Sequence, residues 1–296
     1  PREVHEVLHG VARAADVALR ASAFSLDELE YRYPSEVNDS ARDAMQHLMD
    51  LTWEGARERY PGGVPSAVRG RIEHEFALIA ELRYAPYFLT VHDLVRFARQ
   101  RGILCQGRGA AANSAVCYCL GVTSVDPDRV DLLFERFLSK ERGEPPDIDI
   151  DFEHERREEV IQYVYGRYGR LRAALTGVVV SYRGRSAIRE VGKALGFSLD
   201  LVDRLAKDID WWTDGVGRDE KLRQAGLAPD APEVKRYMRL ANELLGFPRH
   251  LGQHVGGFVI TEDPLCELVP IENAAMPDRT VIEWDKDDID ALGILK

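Results

Sequence analysis

Cysteine is scarce in this sequence, and no two cysteines form a CxxC pair. Cys105, Cys117, Cys119 and Cys266 are the whole set, and their spacing matches no zinc motif. Cys117 and Cys119 fall in an apolar helical stretch and read as reduced core thiols, which points to the cytosol. No run approaches the ~18 apolar residues that a membrane span needs. The opening PREVHEVLHG lacks the charged-then-apolar layout of a secretory signal. Positive charge is also short: 39 Lys and Arg face 50 Asp and Glu, for a net charge of −11 at pH 7. That balance argues mildly against nucleic acid as a partner, because phosphate contacts dominate such binding. It says little about a local patch, however. Repeats and low-complexity tracts are absent.

What is present is an ordinary globular composition, 45% hydrophobic and 30% charged over 296 residues. At ~150 residues per domain the length suggests two domains. Helical patterns cover about residues 3–21 and 41–60, with the loop EYRYPSEVNDSARD between them. YPGGVPSAVRG is a turn that ends the first unit. Two amphipathic helices follow, SAVRGRIEHEFALIAELRY and FLTVHDLVRFARQRG, with Gly102 suited to close the second. ILCQ, residues 103–106, is a short strand. GRGAAANSAVCYCLGV is a glycine turn opening a helix from about Ala111 to Leu120. DIDIDF is a strand, EHERREEVIQYVYGRYG a helix, and the β-branched LTGVVVSY another strand. Residues ~183–248 are helical and polar, interrupted by WWTDGVGRD, before GGFVIT and TVIEWD return to strand patterns. The layout is α+β, a strand-containing body with an inserted helical excursion.

The chemistry concentrates in PPDIDIDFEHERREEVIQYVYGRYG, Pro145 to Gly169. Alternate residues of a strand share a face, so Asp147, Asp149 and Asp151 stand together while Ile148, Ile150 and Phe152 turn to a core. Carboxylates so placed suit hard, oxygen-seeking cations such as Mg²⁺. Two such ions clamp the attacking and leaving oxygens of an in-line phosphoryl displacement. The plainer reading is an exposed acidic face balanced by Lys or Arg opposite. Just upstream, Gly107-Arg108-Gly109 turns into a helix, an arrangement that can cradle phosphate on backbone N–H groups with Arg108, Asn113 or Ser114 adding donors. Two glycines at a helix start also serve merely as a tight turn. The basic run Arg183, Arg185, Arg189 and Lys193 reads equally as a grip on a nucleic-acid backbone or as a solvated face. Trp211 and Trp212 read as packing for the inserted helices or as a platform for DNA.

Taken together, the run from GRGAAANSAVCYCLGV through EPPDIDIDFEHERREEVIQYVYGRYG resembles the bacterial family C DNA polymerases, the alpha subunit of DNA polymerase III. RSAIREVGKALG, RHLGQHVGGFVIT and WDKDDIDALGILK continue the resemblance in the same order. The wording ILCQGRG, ANSAVCYCLG and EPPDIDIDFEHERREEVIQYVY is most similar to the error-prone, damage-tolerant branch. The resemblance implies a palm of the polymerase-beta-like nucleotidyltransferase kind over 1–180, a helical thumb inserted at 181–250, and a return to the palm at 251–296. It implies Asp149 and Asp151 as catalytic ligands of Mg²⁺, with Mn²⁺ as a possible substitute, and Asp147 as support. Gly107, Arg108, Gly109 and Ala110 fall on its triphosphate-binding loop, and Lys296 matches a lysine near the active site. Arg183, Arg185, Arg189 and Lys193 would lie near the primer–template duplex. Arg249, His254, Gly256 and Gly257 belong to an RxxGxHxGG segment that supports the site.

The implied activity is transfer of a nucleotide from a dNTP to a primer 3′-hydroxyl, in translesion synthesis. A sliding clamp and mutagenesis accessory proteins would be partners through regions outside this chain, and a membrane would not. In the family a third carboxylate lies two residues beyond the lysine matched by Lys296, where this sequence stops. The expectation is therefore a palm-plus-thumb fragment without useful polymerase activity alone. A metal-dependent nuclease using the same acids, with His154 beside them, and a non-catalytic scaffold of a mutagenesis complex are the competing readings.

The family pattern is GRGS, and position 110 here is Ala110. A missing hydroxyl removes one donor to a charged phosphate, typically worth ~1.5–3 kcal/mol. Ala110→Ser is therefore expected to tighten nucleotide binding roughly 10- to 100-fold. Titration of a dNTP against both proteins checks this, and equal affinities would exclude a role for the position.

Overall fold

Apolar residues at helical spacing produce most of the secondary structure. In the computed structural model, which describes residues 2–34, 43–126, 129, 148–207 and 218–294, four helices lead the chain. They are α1 (Arg2–Ala21), α2 (Ala44–Arg59), α3 (Ser66–Glu81) and α4 (Ala85–Gln100). Next come strand β1 (Cys105–Arg108), short helix α5 (Ala115–Cys119), β2 (Asp149–Phe152), α6 (Arg157–Tyr168) and β3 (Ala173–Ser181). Four helices follow, α7 (Gly184–Ala194), α8 (Leu199–Lys207), α9 (Arg218–Gln224) and α10 (Pro232–Glu243). The chain closes with β4 (Pro248–Ile260), β5 (Ile271–Asn273), β6 (Thr280–Ile282) and α11 (Lys286–Ala291). The mixture of helix and sheet agrees with the α+β reading. Asp147, Trp211, Trp212 and Lys296, and the side chain of Ala110, lie outside the described residues. Among the described residues, no helix is long and apolar enough to cross a membrane.

The strands form two sheets. β1 and β2 make an antiparallel pair of their own, and the other four are ordered β4-β3-β6-β5. β6 runs parallel to β3 and antiparallel to β5. The chain divides into two compact units, residues 1–176 with 256–296, and residues 177–255. In the first unit, α2, α3, α4 and α5 bury Leu48, Ile72, Phe88 and Val116 in one apolar cluster, which Ile148 joins. A second cluster, with Leu265, Ile282 and Ile289, lies around the four-stranded sheet. In the second unit the four helices α7–α10 close over Ile188, Leu205, Leu222 and Tyr237. The Tyr237 hydroxyl there donates to the Ile188 carbonyl at 2.7 Å. A burial of this kind satisfies the one polar atom on an otherwise apolar ring.

Three elements differ from the sequence reading. The helix expected from Ala111 to Leu120 is broken: a 3-10 turn spans Gly109–Asn113, Ser114 is extended, and only Ala115–Cys119 is α-helical. The strand expected at 103–106 is shifted to Cys105–Arg108. A helix, α9, begins at Arg218, where the reading had a loop. The break at Ser114 has an identifiable cause. Glu75 lies within the buried stripe of α3 formed by Val68, Ile72, Phe76 and Ile79. Its Oε1 accepts from Ala115 N at 2.7 Å, and its Oε2 accepts from Val116 N at 3.0 Å and Ser114 Oγ at 2.7 Å. Ser114 Oγ in turn accepts from Cys117 N at 3.0 Å. The first N–H groups of α5 are therefore all bound by side chains from within the core.

Burial pushes the Glu75 carboxyl up to about 7, against the pull of those three donors and of Arg71. Below pH 4.5 the group is protonated in both folded and unfolded chains. As pH rises the unfolded chain loses this proton first, so stability falls until the folded carboxyl ionises near 7. A shift of this size corresponds to about 3 kcal/mol lost between pH 4.5 and pH 7.5. Glu75→Gln is expected to abolish that component of the pH dependence. It is also expected to cost about 1–3 kcal/mol at pH 5, because the amide sets two N–H donors against the backbone donors where the protonated carboxyl sets only one. Urea denaturation of both proteins at pH 5 and pH 7.5 checks this, and an unchanged pH slope in Glu75→Gln would refute it.

Candidate active site

The register of one strand pair assembles the site. In the β1–β2 pair, Arg108 lies opposite Asp149, Gly107 opposite Ile150, Gln106 opposite Asp151 and Cys105 opposite Phe152. Residues directly opposite one another share a face of the sheet. Arg108, Asp149 and Asp151 therefore stand on one side. On the other, Ile148 and Ile150 pack into the main cluster of the first unit and Phe152 against Val160 and Ile103. The alternation read from DIDIDF is present for every described residue in it.

The acids are not unbalanced. Arg108 Nη1 lies 3.2 Å from Asp149 Oδ2, and Arg108 Nε lies 2.9 Å from Asp151 Oδ1. The three side chains are 58%, 44% and 64% exposed, so the cluster opens to solvent. Each such half-exposed pair contributes only about 0.2–1 kcal/mol. The arrangement matches the plainer of the two sequence readings, acids balanced by an arginine opposite, while leaving carboxylate oxygens accessible. Among the described residues, no group of three or more His, Cys, Asp or Glu converges as a metal site.

The glycines serve different ends. Gly107 faces the core side, where its N–H donates to the Val122 carbonyl at 2.7 Å. A Cβ there would meet that oxygen at 2.6 Å. Gly107 is thus a close backbone contact that fixes β1 against the segment after α5. Gly109 has φ +62 and lies beside Asp149, a turn that an L side chain would strain. Asn113 ends the 3-10 turn, half-buried. Ser114 requires a correction: expected as a phosphate donor, it is fully buried and its hydroxyl is committed to Glu75. The positive end of α5 is likewise taken by Glu75, so the cradle expected at a helix start reduces to the Gly109–Asn113 turn. Glu75 was missed in the sequence, although an acid inside the 68–72–76–79 apolar stripe was its signal.

Two helices hold the strand pair from behind. β1 follows α4 and β2 leads through a 3-10 turn into α6, and α4 and α6 are locked by buried Asp93 of α4. Its carboxylate accepts from Tyr163 Oη at 2.6 Å and faces Arg167 Nε at 3.3 Å and Arg96 Nη2 at 2.5 Å. Phe97 stacks on Tyr163 at 3.9 Å between ring centres. Glu153, next in line after Asp151, is directed to the backbone: its Oε2 accepts from Leu104 N, and its own N–H bonds the Leu104 carbonyl. His154 is exposed, its Nδ1 3.9 Å from Glu155 Oε1.

In the second unit the expected DNA-contacting residues have local partners. Arg185 Nε donates to the Ala206 carbonyl, Arg189 pairs with Asp203 at 2.9 Å, and Lys193 faces Glu190 at 3.6 Å. Arg183 is exposed just before α7. The first two contacts tie α7 to α8, and the third lies within α7. Arg249, His254, Gly256 and Gly257 all lie on β4, with Arg249 near Glu190 and over the Tyr182 ring. Cys117 and Cys119 are buried free thiols, as read, and burial pushes Cys117 up to about 12.

Comparison with known proteins gives a consistent picture. A family model described as the bacterial DNA polymerase III alpha NTPase domain matches residues 46–296. The error-prone DNA polymerase of Alkalilimnicola ehrlichii is 60% identical over 98% of this chain and 29% of its own length. That of Methylococcus capsulatus is 60% identical over 92% of this chain and 26% of its own length. That of a Bradyrhizobium species is 62% identical over 92% and 23%. The chain spans less than a third of the length of these relatives. With a family match over most of its residues and the acid-bearing strand in place, the chain belongs to the bacterial DNA polymerase III alpha family.

Proposed function

We propose that this chain carries the nucleotidyl-transfer centre of an error-prone bacterial DNA polymerase. It would add a deoxynucleotide from a dNTP to a primer 3′-hydroxyl during synthesis past damaged DNA. The observation that carries the reading is the pair Asp149 and Asp151, half-exposed on one face of β2 beside Arg108 and the Gly109 turn. It stands in a chain about 60% identical to proteins named error-prone DNA polymerases.

The donor set suits Mg²⁺ or Mn²⁺: hard carboxylate oxygens, open to solvent, on a strand whose other face is anchored in a core. Asp149 and Asp151 would hold the cation, with Asp147 in support. When bound it would supply charge neutralisation and activation of the primer hydroxyl. The chain's own residues do the rest. The apolar anchorage of Ile148, Ile150 and Phe152 keeps both acids aimed at one place. Arg108, Gly109, Ala110 and Asn113 would receive the triphosphate, with Lys296 near it, and Arg108 would neutralise phosphate charge in a planar, two-pronged contact. In the reading of the two units as palm and helical thumb, Arg183, Arg185, Arg189 and Lys193 would face the primer–template duplex, the last three at the expense of the local contacts they now make. Arg249, His254, Gly256 and Gly257 would support the return strand. Sliding clamp and accessory proteins would bind elsewhere in a longer polypeptide.

One observation favours a non-catalytic scaffold as the second reading. Arg108 balances the two acids, so their clustering does not by itself require a metal. Primer extension separates the two, on a primed DNA template with a polypeptide of the relatives' length containing these 296 residues. Extension that needs Mg²⁺ or Mn²⁺ and falls at least a thousandfold in Asp149→Asn, Asp151→Asn is expected, the order of loss for removed electrostatic stabilisation. Folded, DNA-binding protein with no extension would establish the scaffold.

A further inference from the structure

The guanidinium of Arg108 spans Asp149 and Asp151, donating through Nε to Asp151 and placing Nη1 3.2 Å from Asp149 Oδ2. The position follows from the register, which sets Arg108 directly across from Asp149 and diagonally from Asp151. Gly109, lacking a side chain, leaves Asp149 Oδ2 uncovered from the turn side. An ionised carboxylate offers only acceptor lone pairs, and a guanidinium and a divalent cation compete for them. Two positive groups brought onto the same pair of carboxylates also repel each other.

We infer that Arg108 is a latch on the acid pair that a divalent cation must displace. The inference rests on the reading of Asp149 and Asp151 as metal ligands. Without a cation, Arg108 neutralises the acids and holds their side chains in one orientation. When a cation takes the carboxylates, the guanidinium is released. The same fork geometry that fits carboxylate fits a phosphate oxygen pair, so a triphosphate anion is the partner the released side chain would take. Cation and triphosphate binding are then linked, because each favours the released Arg108, and a ligand shifts an equilibrium by its differential affinity for the two states. The opposing arrangement keeps Arg108 in place as a brace that orients the carboxylates while the cation uses their remaining oxygens. The two arrangements predict opposite effects of removing the arginine.

The test is Mn²⁺ binding to the 296-residue chain without nucleotide or DNA, followed by the electron spin resonance of free Mn²⁺. The proteins are the native chain, Arg108→Gln, Arg108→Lys and Asp149→Asn, Asp151→Asn. A latch predicts binding about three- to tenfold tighter in Arg108→Gln, the range for loss of a half-exposed ion pair. Arg108→Lys, with charge kept but the fork lost, should fall between it and the native chain, and it answers the question if Arg108→Gln does not fold. Binding that needs Asp149 and Asp151 but is unchanged or weaker in the arginine variants would overturn the latch and leave the metal site standing. Absence of Mn²⁺ binding dependent on these aspartates in every chain would overturn both.

Discussion

The pairing register of β1 and β2 is the constraint on which the site depends. Side chains on a strand alternate, so a slip of one residue would bury Asp149 and Asp151 and expose Ile148, Ile150 and Phe152. Several independent contacts prevent the slip. Gly107 admits the Val122 carbonyl where any Cβ would collide with it. Glu153 pins the open end of the pair to Leu104. Ile148 is held from outside the pair as well, its N–H donating to the Tyr87 hydroxyl at 3.1 Å. The strands are only four residues each. Their order therefore comes from what flanks them more than from their own two-strand ladder, which alone is marginal in water.

Acids perform opposite tasks in neighbouring parts of the first unit. Glu75 and Asp93 are buried, each with several donors, and act as joints between elements: α3 to α5, and α4 to α6. An unpaired buried carboxylate would be costly, but one that accepts three hydrogen bonds fixes the geometry of what it touches. Asp149 and Asp151 are half-exposed and balanced by one arginine. Joints belong in the core, where low dielectric makes a satisfied bond hard to exchange. A binding group belongs at the surface, where its partner can be replaced. The glycine turn lies between the two kinds of site, anchored beneath by Glu75 through Ser114 and facing the aspartates above through Gly109.

Much of this was legible in the sequence, and for local reasons. DIDIDF declared its two faces because the strand period is two and the residue types alternate without exception. The amphipathic helices declared themselves by apolar spacing, and α3 and α4 lie close to where that spacing put them. The Gly107–Gly109 turn was visible as a turn. Its continuation was misread because helical propensity in AAANSAVCYCL is uniform, whereas the break at Ser114 is imposed by a carboxylate thirty-nine positions earlier in the chain. The basic run of α7 was visible as charge. That Arg189 meets Asp203 and Arg185 meets the end of α8 depends on how two helices pack.

The sequence by itself determined the α+β alternation of elements, the acid-bearing face of β2, the thiol character of Cys117 and Cys119, and the family. Each of these is written in residue type and short-range period, or in long runs of shared wording. Only the tertiary structure decided that Arg108 spans both aspartates, that Glu75 fills the start of α5, and that Asp93 joins α4 to α6. Those contacts link residues tens of positions apart, and their geometry is set by strand register and helix packing, which no local pattern encodes.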